Sequence, residues 1–159
     1  TLHLYIAQAI VANTYALYAQ EVYSNHRNEN YEVCSEQCCQ VYDPTKVTEN
    51  AINATSVIFE RSDGYDNTIV LLRKPTSTTY EYTAGMFFSS CNNQGTWTNA
   101  NDSAMQAVTC TDLVPNNISS HHYGLCQMGA AVRAKNGDVF SEITRYYFTN
   151  CGNETCRLG

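Results

Sequence analysis

Residues 2–23, LHLYIAQAIVANTYALYAQEVY, are apolar on nearly every face of a 3.6-residue period. Ala, Leu and Gln favour helix, and neither Gly nor Pro interrupts the run. A helix that is apolar all round is buried. The length also suits a bilayer span, but His3, Gln8, Asn13, Gln20 and Glu21 argue for a protein core. A polar stretch with three cysteines follows over residues 24–50 and reads as an ordered loop. Two β-branched runs come next, AINATSVIFER (51–61) and NTIVLLRK (67–74), on either side of SDGYD. They predict a hairpin with Asp63 and Gly64 in its turn.

TTYEYTAGMFFSS (78–90) predicts a further strand, residues 91–102 a loop, and AMQAVTCTDLV (104–114) a short strand. Ser119 or Ser120 can cap a helix over about residues 123–135, which Gly137 ends. Asp138 can cap a last helix in VFSEITRYYF (139–148). The order helix, loop, strands, helix, helix predicts an α+β fold. Its antiparallel sheet packs around the long buried N-terminal helix, in one domain over residues 1–159.

Composition narrows the function. The net charge is −6, charged residues are 15% of the chain, and no basic run occurs, which excludes a phosphate-binding surface for nucleic acid. The 12 tyrosines suit a surface that holds sugars, and more readily an ordinary secreted domain. Eight cysteines in 159 residues favour an oxidising compartment and a disulfide-rich domain. Cys151 and Cys156 are close enough in sequence to bridge locally. Asn53, Asn101, Asn117 and Asn153 open glycosylation sequons, expected on exposed turns or strand ends. Secretion as a mature, trimmed chain is the expectation, with no signal peptide, no membrane span and self-association open.

Two constellations carry chemistry. His121 and His122 precede a predicted helix N-terminus, whose free N–H groups and partial positive charge suit an anion and depress a nearby imidazole's pKa. Cys34, Cys38 and Cys39, with His26 upstream, offer three thiolates and an imidazole for tetrahedral zinc. In an oxidising compartment disulfides to distant cysteines are favoured over metal, so no cofactor is expected.

HHYGLCQMGA (121–130) resembles the HGxGMSQYGA signature of the stage II sporulation protein D (SpoIID) and LytB amidase-enhancer family. His121, Gly124, Gln127, Gly129 and Ala130 match it. AQAIVANTYALY (7–18) is similar to the family's AQAVAARTYAL helix, and CSEQCCQVYD (34–43) to its C-x-x-x-H-C-Q-x-Y motif, with Cys38 in place of the histidine. FFSSCNNQGTWTN (87–99) and NGDVFSEITRYYF (136–148) resemble two further family segments. The resemblance implies a peptidoglycan-contacting domain, in a family of lytic transglycosylases and amidase enhancers. It implies a glycan-binding role for Gln8, His121, His122, Gly124 and Gln127 along one groove, and zinc near the cysteine motif. The family's catalytic glutamate precedes the AQAVAARTYAL helix and is not among these residues, so this chain alone is expected to bind rather than cleave. The alternative is a non-catalytic, disulfide-rich extracellular structural glycoprotein.

Overall fold

The computed structural model describes residues 1–39, 43–59, 70–73, 80–112, 119–148 and 156–158. Helix α1 runs over Leu2–Glu21, and Ile6, Ala7, Ile10, Val11 and Thr14 are buried along it. It packs against the other three helices and against two strands, as its all-round apolar surface requires. Thr14 sits at the centre: its hydroxyl donates to the Ile10 carbonyl (2.7 Å) and accepts the Leu71 N–H (3.0 Å), so the helix holds a strand directly.

Helix α2, Glu49–Phe59, replaces the first predicted strand of the hairpin. Ala54 and Ile58, four residues apart, both turn into the core, while the β-branched Ile52 and Val57 stay exposed. The Thr48 hydroxyl accepts the Ala51 N–H and starts the helix. Helical spacing therefore outweighs β-branching here. The predicted turn at Asp63 and Gly64 lies outside the described residues.

The α+β class holds, but the sheet is not the single antiparallel layer expected. Strand β1 (Leu71–Arg73) lies between β2 (Glu81–Tyr82) and β5 (Cys156–Leu158), antiparallel to both. A separate pair, β3 (Phe87–Phe88) and β4 (Leu125–Cys126), is parallel, with Phe87 opposite Leu125 and Phe88 opposite Cys126. The run 78–90 is thus two strands, parted where Gly85 turns to φ +57°. A side chain at Gly85 would meet the α1 backbone at Val11 and Tyr15, so this link lies directly on the helix.

Helix α3 covers Gln127–Lys135 and begins later than expected. His122 (φ +58°) and Gly124 (φ +77°) are left-handed, which ends any helix across them. The cap is not Ser119 or Ser120 but Cys126, whose Sγ accepts the Gly129 N–H at 3.2 Å. Gly137 (φ +104°) ends α3 as expected. Helix α4, Phe140–Tyr147, is capped by Glu142 reaching back to the Val139 N–H (2.9 Å), while Asp138 instead pairs with Arg133.

The described cysteines, Cys34, Cys38, Cys39, Cys91, Cys110 and Cys126, are free thiols, which corrects the disulfide-rich expectation for them. Cys151, Asn117 and Asn153 lie outside the described residues, and with Cys151 the expected bridge to Cys156. Asn53 is exposed but on α2 rather than on a turn, and Asn101 is exposed in a turn.

Candidate functional site

The loop after α1 folds onto itself through side-chain bonds. Ser24 is buried; its hydroxyl donates to the Glu32 carbonyl and accepts the His26 N–H. Asn25 donates to the Cys38 carbonyl at 3.1 Å. These ties bring His26, Cys34, Cys38 and Cys39 together, with one ligand-type atom from each inside 4.8 Å. Cys34 Sγ lies 2.9 Å from Cys38 Sγ and 3.0 Å from Cys39 Sγ. His26 Nε2 lies 3.2 Å from Cys39 Sγ and 3.6 Å from Cys38 Sγ. The sulfurs are well beyond the roughly 2.05 Å of a disulfide bond.

The electrostatics are those of a cation site. Hydrogen bonds with Cys38 and Cys39 pull the Cys34 thiol down to about 6, and the bond with Cys34 pushes Cys38 up to about 11. His26 Nδ1 meets Glu29 Oε1 at 3.0 Å, and that bond raises the imidazole's pKa and lowers the carboxyl's. Glu29 thereby fixes the ring and leaves Nε2 facing the thiols, the carboxylate–histidine arrangement of metal sites. Tyr31 lies against the His26 ring (4.7 Å between centroids). Three sulfurs and one imidazole match the ligand set of tetrahedral zinc.

Beside this cluster opens a cleft of about 780 Å³. Tyr15 of α1 and Asn25, Gln37, Cys38 and Cys39 form one wall; residues 86–89, Ser119, Ser120, His121 and Gln127 form the other. Gln127, the first residue of α3, donates its Nε2 to Gln8 Oε1 of α1 at 3.3 Å and ties the two walls. Burial, then the charge of Cys39 and its bond to the hydroxyl, holds the Tyr15 phenol protonated far above its ordinary range.

The predicted site residues divide. Gln127 and His121 line the cleft, and Gln8 stands behind Gln127. His121 is fully engaged: Nε2 donates to the Phe87 carbonyl (3.1 Å) and Nδ1 accepts the Tyr123 N–H (3.0 Å). Its pKa is lowered chiefly by burial of the ring, not by a helix N-terminus. His122 is 4% exposed, bonds the Gly95 carbonyl through Nδ1 (2.9 Å) and stacks on Trp97 at 4.5 Å, so it braces the loop and leaves the cleft to His121. Gly124 is a backbone requirement: a side chain there would strike the Met86 carbonyl. Sequence reasoning did not single out Tyr15, Asn25 or Gln37 as site residues, although Tyr15 is among the positions similar to the family's helix. Tyr15 was within reach, being seven residues from Gln8 and so on the same helical face.

Among the described residues no helix is long and apolar enough to cross a membrane. The family model described as SpoIID, Stage II sporulation protein, matches residues 2–62. That segment holds α1, the cysteine loop and α2, and it supplies one entire wall of the cleft. The resemblance to this family is thereby shown over that segment, which is less than half of the chain. No curated protein and no solved structure matches the chain.

Proposed function

We propose that the cleft binds a cell-wall glycan, with a zinc ion in the adjoining loop holding one wall in shape. The observation that carries this reading is the joining of the walls. The SpoIID-matched wall and the wall carrying HHYGLCQMGA meet across one cleft, bonded Gln8 to Gln127. The lining offers amides, hydroxyls and the rings of Tyr15, Phe87 and Phe88, which suit the hydroxyls and apolar faces of sugar rings. In this reading the lining residues bind and orient the glycan.

His26, Cys34, Cys38 and Cys39 are the residues that hold the zinc. Four protein ligands close a tetrahedral site, and a closed site contributes folding energy to its loop. That loop carries Asn25, Gln37, Cys38 and Cys39 into the cleft. Secretion fits the exposed sequon residues Asn53 and Asn101. The test is calorimetric titration of the zinc-loaded protein with a soluble disaccharide-peptide fragment of peptidoglycan. Saturable binding, weakened about tenfold or more by Gln127→Ala and by Tyr15→Ala, is expected. Absence of binding in the folded protein, or binding indifferent to both substitutions, defeats the reading.

A further inference from the structure

A second group of ligand-type side chains lies in the core. Cys91, Cys110, Asp112 and Cys126 are all buried, and one ligand-type atom from each lies inside 4.8 Å of the others. We propose that these four residues form a buried, closed site for a thiophilic dication, zinc being the ion whose ligands and coordination number they match. The site is separate from the cleft and stands whether or not the cleft binds glycan.

The first argument is the outer shell. A metal site needs donors behind its ligands to orient them and offset their charge. Each of the four has one. Cys126 Sγ accepts the Gly129 N–H at the start of α3 (3.2 Å). Tyr147 places its hydroxyl 3.5 Å from Cys110 Sγ. Cys91 bonds the backbone of Asn93, in a turn where Asn92 and Asn93 both take positive φ (49° and 60°). Asp112 turns Oδ2 to the Ser90 hydroxyl and to the Asn92 N–H (2.7 Å), leaving Oδ1 toward Cys91 (3.1 Å) and Cys126 (3.3 Å). Gly129 has no room for a side chain: a Cβ there would strike Cys110 Sγ and the Tyr147 hydroxyl.

The second argument is charge. Asp112 is a buried carboxylate at 6% exposure, and among the described residues no basic side chain forms an ion pair with it. Burying a carboxylate without a counter-charge is costly. A disulfide between two of the three cysteines would leave the third sulfur and the carboxylate as they are. A dication engages all four, displacing the thiol protons to solvent, and the positive end of α3 and the N–H donors offset the remaining negative charge. Such an ion staples β3 and its following turn, the 110–112 segment and the start of α3. That last element begins with Gln127 of the cleft.

The test uses the whole chain with Cys34→Ser, Cys38→Ser and Cys39→Ser combined, grown with zinc and purified under reducing conditions. Elemental analysis is expected to find about one zinc per folded chain. X-ray absorption should show three sulfurs at about 2.3 Å and one oxygen at roughly 2.0–2.2 Å. Asp112→Asn in that background should weaken zinc binding about tenfold or more. A folded triple variant free of zinc overturns the proposal, as does a disulfide joining any two of Cys91, Cys110 and Cys126 in the unaltered protein. Should the triple variant not fold, the unaltered chain decides. Two zinc ions, or one whose shell lacks histidine nitrogen, support the site; a single ion bearing a histidine nitrogen, or none, overturns it.

Discussion

The two thiol clusters use the same atoms and differ in almost everything else. His26, Cys34, Cys38 and Cys39 come from one loop, and Cys38 is exposed. Cys91, Cys110, Asp112 and Cys126 come from three separate stretches and are buried. Cys34 of the loop and Cys91 of the core shift in opposite directions. Hydrogen bonds with its neighbours bring Cys34 down to about 6, whereas burial lifts Cys91 to about 11. A bond to Cys110, then burial, raises Cys126 as well. Environment therefore makes Cys34 reactive and Cys91 and Cys126 inert before any metal is considered.

The largest expected effect comes from the joint that holds the core cluster. Gly124 precedes β4 with φ +77°, and an added Cβ would collide with the Met86 carbonyl, which accepts the Leu125 N–H (3.0 Å). Gly124→Ala should cost roughly 3 kcal/mol through combined backbone strain and overpacking. Thermal unfolding should move down by about 6–12 °C. The comparison sharpens if a thiol reagent then reaches Cys126 and Cys110 while Cys34 reacts as before. A variant melting with the unaltered protein would show that the β3–β4 joint does not brace the core cluster.

Alkylation reads the acidity contrast directly. In metal-free protein at pH 7, iodoacetamide should modify Cys34 first, and Cys91, Cys110 and Cys126 at least about a hundredfold more slowly, since those require local opening. The Cys34 rate should fall as pH drops through about 6, where its thiolate takes up a proton, and should be suppressed by added zinc. Peptide mapping by mass spectrometry follows each site. Equal rates at the two clusters would break the comparison.

Legibility in the sequence follows the same division. The loop cluster could be read because its ligands are local: three cysteines within six residues, with His26 just upstream, are a visible pattern. The core cluster could not, because only the parallel β3–β4 pairing brings Cys91 and Cys126 to one place. α1 was plain from its apolar run, and the Gly137 stop from its residue type. α2 was misread because Ile52, Val57 and Ile58 mimic a strand, and only packing shows that Ala54 and Ile58 face inward. The start of α3 was misplaced because left-handed φ at His122, a non-glycine, carries no composition signal.

The smallest expected effect lies at the rim where the two regions meet. His121 lines the same cleft as Cys38 and Cys39, and it bonds Phe87 of the same β3 strand whose next residue pairs with Cys126. Its ring donates from Nε2 and accepts at Nδ1, an arrangement available only to neutral imidazole. Burial, the largest influence, holds its pKa below the unfolded value. The sign follows: the unfolded chain takes up this proton first as pH falls. The contribution is complete above the unfolded pKa of about 6.5 and is lost progressively below it. Partial exposure keeps the effect small. Between pH 7.5 and 5.5 the unaltered protein should lose about 1 °C more in melting temperature than His121→Gln, whose amide keeps a donor and an acceptor but does not titrate. Parallel pH profiles would mean that His121 titrates alike folded and unfolded, and that the rim responds to acid only through the thiols of the loop.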